Sequence, residues 1–138
     1  MMTSELVPIQ FNKVIQTEYY TVFFLGTKDK QFAIHTSPYI GKNIQMYLAD
    51  QVKPRPCTYD LINTIFKEYD IHLLQVVITD VQDTIYFARL FIEQIMGGRR
   101  TILEIDARPS DCLTLAIENN LPIYCTKHVF DRVIAVEE

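Results

Sequence analysis

The chain has 138 residues, of which 49% are hydrophobic and 22% charged, with only 4 Gly and 6 Pro. This composition excludes disordered, collagen-like and low-complexity chains, and the length is typical of a single compact domain spanning residues 1–138. The net charge is −4, and residues 101–138 alone hold three basic and seven acidic residues. A broad basic face that grips duplex nucleic acid is therefore not expected, whereas a locally acidic site is compatible with the charge.

The amino terminus and the cysteines predict a cytoplasmic protein. Residues 1–5 lack the basic flank and apolar stretch of a signal peptide, and no apolar run is long enough to cross a bilayer, so no membrane association is expected. Cys57, Cys112 and Cys125 are odd in number and form no Cys-x-x-Cys pair. This spacing argues against a disulfide framework and against a thiolate zinc site.

The first half of the chain predicts a small meander followed by two helices. Three segments rich in β-branched and aromatic residues are expected to be strands: 8–16, 19–25 and 31–35. Ser37 followed by Pro38 is typical of a helix start, and apolar residues then recur at helical spacing. Pro54 and Pro56 stop that helix, and Thr58 can cap a second one.

The second half predicts a long apolar hairpin, with strands at 73–81 and 85–95 around a turn at Gln82-Asp83. Strict alternation places Val76 and Ile78 on one face and Val77 and Val81 on the other. Because both faces are apolar, other elements or another subunit must cover them, and we expect a homo-oligomer, with a dimer favoured.

The remaining segments complete an α+β prediction. They are a strand at 101–107, a helix at 108–120, a short buried strand at 123–125 and a last helical segment at 127–133. The order β-β-β-α-α-β-β-β-α-β-α favours a single compact α+β domain. We expect a mixed or antiparallel sheet of about six strands with three to four helices.

One polar run, from Glu104 to Asp111, can carry chemistry. On a strand, Glu104, Asp106 and Arg108 project from one face, and the residues expected to project into the core are Leu103, Ile105 and Ala107. Asp111 falls in the first turn of the next helix, where the helix dipole favours a carboxylate.

This run offers the ligands of a phosphodiester site. Asp106 and Asp111 can hold a divalent cation, Mg²⁺ or Mn²⁺, while Arg108 clamps a phosphate and Ser110 donates a hydrogen bond at the helix start. The same residues also fit a structural role, in which Asp111 caps its helix and Arg108 pairs with Asp106.

A second loop supplies Arg55 and Asp60. Asp60 is a candidate ligand or base, although a carboxylate in a first helical turn often only compensates the dipole. Four basic residues are candidates for a lip that steers phosphate to the acidic site, or else for solvated turn charges: Lys53, Arg55, Arg99 and Arg100.

The run Ile105-Asp106-Ala107-Arg108-Pro109-Ser110-Asp111-Cys112 resembles the signature of the bifunctional nuclease family. The run from Arg55 to Leu61 resembles the family's Arg-Pro-x-Thr-His-Asp-Leu stretch, and the hairpin from Val76 to Leu90 resembles its middle, so the match spans about residues 20–133. The resemblance implies an oligomeric α+β domain that cleaves both RNA and DNA.

Two departures from the family pattern bear on this activity. Tyr59 stands where the pattern has His, which removes a candidate base or ligand, and Ser37-Pro38-Tyr39 stands where a Glu-Ala pair is common. The leading hypothesis is a metal-assisted phosphodiesterase acting on RNA and/or DNA as a transient substrate. The alternative is a non-catalytic oligomeric binding or regulatory module that retains the fold, and Tyr59 favours it.

Overall fold

The computed structural model describes residues 5–137, so the expectation about a signal peptide at residues 1–4 lies outside the described residues. The elements follow the predicted order: β1 (Leu6–Gln16), β2 (Thr21–Gly26), β3 (Gln31–Thr36), α1 (Pro38–Leu48), α2 (Thr58–Glu68), β4 (Ile71–Gln82), β5 (Ile85–Met96), β6 (Arg99–Ala107), α3 (Pro109–Asn119), β7 (Ile123–Thr126) and α4 (Lys127–Arg132). The α+β prediction is confirmed, with seven strands in the described part of the chain where about six were expected.

The strands form one mixed sheet in the order β3-β2-β1-β7-β4-β5-β6. The short strand β7 lies at its centre, where Ile123 pairs antiparallel with Ile9 of β1 and parallel with Val76 of β4. The other neighbouring strands pair antiparallel. This order makes β3 one edge of the described sheet and β6 the other.

Local chemistry explains where the helices begin and end. Pro38 and Pro109 occupy the first positions of α1 and α3, where a missing N–H costs nothing because that group has no partner within the helix. Asp50, Asp70 and Asn120 stand at the carboxyl ends of α1, α2 and α3, each with a φ of 53°. Asp and Asn tolerate this left-handed conformation better than other non-glycine residues, so each helix stops there.

The core is built by the sheet together with helices α1, α2, α3 and α4. Its fully buried side chains include Phe23 and Leu25 of β2, Ile78 of β4 and Leu113 of α3. Burial of apolar side chains of this size stabilises a fold by roughly 1.5–3 kcal/mol each. Within residues 5–137, no helix combines the length and the apolar character needed to span a membrane.

Two expectations about side-chain direction are wrong. Val81 belongs to the same core cluster as Val76 and Ile78, because the register of β4 on β5 shifts between Ile78 and Asp80 and the shift reverses the alternation. Leu103 does not project into the core but is 54% exposed, because β6 is the last strand and the helices do not cover its first half.

Candidate functional site

Three side chains meet at the start of α3, and we call them the Asp111 cluster: Tyr59, Arg108 and Asp111. Arg108 donates from Nε to Asp111 Oδ2 over 2.9 Å and from Nη2 to Oδ1 over 3.1 Å. Tyr59, from α2, donates its hydroxyl to Asp111 Oδ1 over 2.7 Å. The contact joins α2 to the junction between β6 and α3, so the carboxylate is held from two elements.

The charges of the cluster follow from these contacts. Burial raises the pKa of Asp111, but hydrogen bonds from Arg108 and Tyr59, together with the Arg108 charge, outweigh burial and hold the pKa below its usual range. Burial raises the pKa of Tyr59 far above its usual range, and the hydrogen bond to Asp111 adds to the shift. At neutral pH, Asp111 is therefore ionised. Tyr59 is a neutral phenol, which donates a hydrogen bond and cannot serve as a base.

Arg108 is the accessible member of the cluster. Its side chain is 73% exposed, whereas that of Asp111 is 30% exposed and Tyr59 is buried. The structural alternative predicted an ion pair between Arg108 and Asp106. That pair does not form, because Arg108 binds Asp111, three residues further along the chain. The guanidinium thus presents its outer edge to solvent while its inner edge is fixed.

Asp106 lies on the other side of β6 from Asp111. Its neighbours Ile105 and Ala107 pack against the core, so the alternation of the strand turns Asp106 to the face away from the helices, opposite Arg89 of β5. Asp111 instead contacts α2 on the helical side. The pKa of Cys112 is raised to about 12, mainly by burial and to a smaller extent by the negative charges of Asp111 and Asp106. That thiol is protonated at neutral pH.

The residues present do not fit a preformed divalent-cation centre. Residues 5–137 contain no group of three or more His, Cys, Asp and Glu side chains placed to hold a metal ion. Of the two predicted ligands, Asp111 uses both oxygens as acceptors for Arg108, and Asp106 faces the opposite way. Hard cations such as Mg²⁺ need several oxygen ligands in a near-ideal arrangement.

Ser110, predicted to contact a phosphate, is buried at 5% exposure. Its carbonyl accepts a hydrogen bond from the Thr114 hydroxyl over 2.7 Å within α3. Ser110 is therefore packed against the interior of the protein at the start of α3.

Asp60 and Lys53 form a second polar group at the start of α2. Asp60 Oδ2 accepts from the backbone N–H of Cys57 over 2.8 Å and from Lys53 Nζ over 3.1 Å. The backbone hydrogen bond holds the pKa of Asp60 low against the effect of burial, and Lys53 adds to this. The Lys53 side chain is 17% exposed, and its ammonium group contacts this carboxylate. Both residues fix the helix that presents Tyr59 to Asp111.

The other predicted basic residues, Arg55, Arg99 and Arg100, lie apart from one another in two regions of the fold. Arg55 is exposed in the loop before α2, and Arg99 and Arg100 are exposed at the start of β6. Arg100 forms an ion pair with Glu93 of β5. From Arg100 to Asp106 the strand extends over roughly 20 Å, so Arg99 and Arg100 form no lip around the Asp111 cluster.

The sequence interpretation missed two features. It treated Tyr59 only as the loss of a histidine, whereas the Tyr59 hydroxyl donates a hydrogen bond to Asp111. It also passed over Glu118, which accepts from Asn63 at Oε1 over 3.1 Å and has its other oxygen buried without a hydrogen bond. Burial raises the pKa of Glu118, and Asp60 adds to the shift against the opposing effect of Lys53. A lone glutamate in a helix carries no sequence signal for such a position.

The fold and the site define an α+β domain with an arginine–carboxylate cluster at a strand-to-helix junction. The family model described as the bifunctional nuclease domain matches residues 22–138. The chain therefore belongs to the bifunctional nuclease domain family, as the resemblance predicted.

Individual relatives share a third or less of their residues with this chain over the aligned segment. An uncharacterized protein of Mycobacterium tuberculosis strain H37Rv is 32% identical over 76 residues, which is 55% of this chain and 42% of that protein. Bifunctional nuclease 1 of Oryza sativa subsp. japonica is 25% identical over 76 residues, 55% of this chain and 23% of that protein. The aligned segment thus covers less than half the length of these curated relatives.

Proposed function

We propose that the chain is a phosphodiesterase acting on RNA and/or DNA, with the Asp111 cluster as its site. Membership of the bifunctional nuclease domain family supports the class of reaction. The observation that carries the proposal is the exposed Arg108, held in a bidentate contact by an ionised carboxylate. A guanidinium in this position can exchange the carboxylate for a phosphate, which it binds with the same fork geometry.

Each member of the cluster then has a distinct role. Arg108 binds and orients the phosphate. Asp111 is ionised at neutral pH, and once Arg108 has moved to the phosphate it is free to accept a hydrogen bond from an attacking water. Tyr59 donates to Asp111 and holds it in place. Arg55, exposed in the loop before α2, is a further candidate phosphate ligand.

Participation of Mg²⁺ or Mn²⁺ remains a prediction for the assay to decide. The same holds for the roles of Asp106 as a cation ligand, of Asp60 as a ligand or base, and of Ser110, Lys53, Arg99 and Arg100 as substrate contacts. The roles of Arg108 and Asp111 do not depend on a cation, because the described residues do not form a preformed site for one.

The test is cleavage of labelled single-stranded RNA and DNA by the full chain. We expect Arg108→Ala and Asp111→Asn to lower the rate by about tenfold to a thousandfold, as when a charge-stabilising or positioning group is removed. The matched control is Asp131→Asn, which removes an exposed carboxylate from an ion pair with Lys127 on α4 and should leave the rate unchanged. Unaltered rates in folded Arg108→Ala and Asp111→Asn would refute the proposal.

The same assay is run with a chelator and with added Mn²⁺. A rate that falls with the chelator and returns with Mn²⁺ would support the cation, and substitution of Asp106 would then show whether it is a ligand. A cleavage rate that is the same with and without the chelator would rule out a required divalent cation.

One observation favours a second candidate, the non-catalytic binding or regulatory module. Asp111 is engaged by Arg108 and Tyr59, and Tyr59 cannot serve as a base because its pKa is raised. In this case the cluster clamps the β6–α3 junction to α2. Absence of cleavage in every condition, with stability lost on replacing Asp111, is the result that this candidate predicts.

A further inference from the structure

A groove lies along the outer edge of β3, and we call it the β3 groove. Its volume is about 690 Å³, within the range of about 300–1,000 Å³ that is usual for ligand-binding clefts. Three parts of the chain form its walls: β3, the hairpin of β4 and β5 near its turn, and the segment from the end of α4 onward. The lining includes Ala33, His35, Asp83, Tyr86, Arg132 and Ile134.

Part of the backbone on this edge has no partner. The Gln31 carbonyl points away from β2, because it accepts a hydrogen bond from the backbone N–H of Val136 over 2.8 Å. In an antiparallel pair every second residue directs its backbone groups the same way, so those of Ala33 and His35 also point away from β2. Among residues 5–137, no strand pairs with this side of β3. The N–H and C=O groups of both residues are therefore open to a further strand.

The chain itself shows what kind of segment this edge accepts. Residues 133–136, with the sequence Val-Ile-Ala-Val, are apolar, and the last of them is the residue bound to Gln31. This contact covers only the first residue of β3. Ile134 lines the groove and is 87% exposed, so it offers apolar surface to an occupant that lies beside Ala33 and His35.

The inner surface of the β3 groove is apolar as well. Tyr86 stacks on Phe32 of β3 with ring centroids 6.2 Å apart. Val81, which pairs with Tyr86, and Val133 line the groove beside it. In an extended peptide every second side chain points to the same side. A peptide paired with β3 therefore turns alternate side chains toward this surface, where β-branched apolar residues fit best.

One positive charge in the groove has no carboxylate partner. Arg132 contacts the imidazole of His128 over 3.1 Å and takes part in no ion pair with a carboxylate of residues 5–137. Asp83, in the turn between β4 and β5, lines the same groove. A single acidic side chain beside Arg132 is therefore favoured, whereas a run of acidic groups is repelled by Asp83.

We propose that the β3 groove binds an extended peptide segment of a partner protein, which adds a strand to the sheet by pairing with Ala33 and His35. The segment alternates, with β-branched apolar residues on one side and a single acidic residue on the other. Strand addition of this kind draws affinity from main-chain hydrogen bonds and specificity from alternate side chains. A nucleic acid is not the occupant, because the groove holds one unpaired arginine next to a carboxylate and a polyanion needs several cations.

The first experiment measures binding and is independent of the proposed nuclease activity. The probe is the peptide Val-Glu-Val-Thr-Val, with a fluorophore at its amino terminus and an amide at its carboxyl terminus, titrated with the full chain and followed by fluorescence anisotropy. We expect saturable binding, and none by the same peptide N-methylated at every residue, because that peptide has no backbone donor. Absence of saturation up to about 1 mM protein, or equal binding of the methylated peptide, would overturn the proposal.

The second experiment removes one backbone donor from the chain. Ala33→Pro lacks the outward N–H, and proline is tolerated in an edge strand where that group faces away from the sheet. We expect Ala33→Pro to weaken binding of the peptide about tenfold. The matched control, Ala33→Ser, keeps the N–H and should bind as tightly as wild type. Circular dichroism establishes that both variants are folded, and a folded Ala33→Pro with wild-type affinity would contradict strand pairing.

The third experiment tests the charge and does not depend on the folding of Ala33→Pro. Arg132→Glu should weaken binding of the peptide about threefold or more and should bind Val-Lys-Val-Thr-Val more tightly than wild type does. The control is Lys42→Glu, an exposed charge on α1 that does not line the groove, and it should change neither affinity. Equal responses of Arg132→Glu and Lys42→Glu would overturn the acidic specificity.

Two other occupants are distinguished by the same variants. If a second copy of the chain covered this edge, Ala33→Pro would lower the mass measured by sedimentation equilibrium relative to Ala33→Ser. If single-stranded nucleic acid occupied it, Ala33→Pro would weaken binding of a labelled oligonucleotide. We expect the mass and the oligonucleotide binding to be the same for both variants, and a difference in either would overturn the peptide as the occupant.

Discussion

Asp111 is the residue at which most contacts of the candidate site converge. Its low pKa comes from Arg108 and Tyr59, against the effect of burial. The sequence located this carboxylate at the start of a helix and offered Asp106 as its companion. It could not identify Tyr59 as the companion, because Tyr59 is 52 residues away along the chain and only the packing of α2 on the sheet brings the two side chains together.

Replacing Asp111 gives a pH-dependent loss of stability. The folded-state pKa lies below the ordinary value of 3.8, so the contribution of ionised Asp111 is complete above that value and is lost as the pH falls through the folded pKa. We expect Asp111→Asn to lower the free energy of unfolding by about 1–2 kcal/mol at pH 7 and to approach wild type under acidic conditions. Urea unfolding across pH 2–7 measures this, with Asp131→Asn as the control. A difference that does not depend on pH would contradict the assignment.

Glu118 predicts the opposite sign. Its folded-state pKa lies above the ordinary value of 4.5, so ionisation opposes folding once the pH rises past that value. We expect Glu118→Gln to be more stable than wild type by on the order of 1 kcal/mol at pH 7, because a charged oxygen is otherwise buried without a partner. The gain should vanish below pH 4.5.

Urea unfolding of Glu118→Gln is compared with that of Glu18→Gln, which removes an exposed carboxylate between β1 and β2. The control should change stability little at any pH. A Glu118→Gln variant that is no more stable than wild type at neutral pH would show that the carboxylate is adequately solvated.

At the scale of elements, α2 depends on its first turn. Asp60 accepts from the Cys57 N–H and closes the amino-terminal end of the helix. We expect Asp60→Ala to cost about 1 kcal/mol of unfolding free energy, whereas Asp60→Asn keeps an acceptor and should cost less. Because the same helix carries Tyr59, the Ala variant should also weaken the hold on Asp111. Equal stability of the Ala and Asn variants in urea unfolding would contradict the capping role.

The elements themselves were largely predictable because their signals are local. Pro38 and Pro109 mark helix starts, and the apolar period separates helices from strands along nearly the whole chain. The errors arise where the direction of a side chain depends on pairing with a distant strand and not on the local alternation of residues. Alternation failed at Val81 because of a register shift, and it failed at Leu103 because the position of β6 at the sheet edge depends on the strand order, which a single sequence does not contain.

For the whole molecule, strand order decides which residues can act together. The sequence grouped Asp106, Asp111, Lys53, Arg55, Arg99 and Arg100 around one site. The fold places Lys53 against Asp60 and leaves Arg99 and Arg100 at the far end of β6. The residues that the sequence assigned to one site therefore lie in separate parts of the fold, because the strand order that separates them is not contained in a single sequence.

The position of β7 has a consequence for synthesis of the protein. This four-residue strand, Ile123–Thr126, joins the β1–β3 half of the sheet to the β4–β6 half, yet it follows all six of those strands in chain order. Until it leaves the ribosome, the inner edges of β1 and β4 have no central strand between them, and long-range pairing of this kind forms slowly. A nascent chain therefore carries two unjoined half-sheets until β7 has been synthesised, and during that interval chaperones have the most backbone to protect.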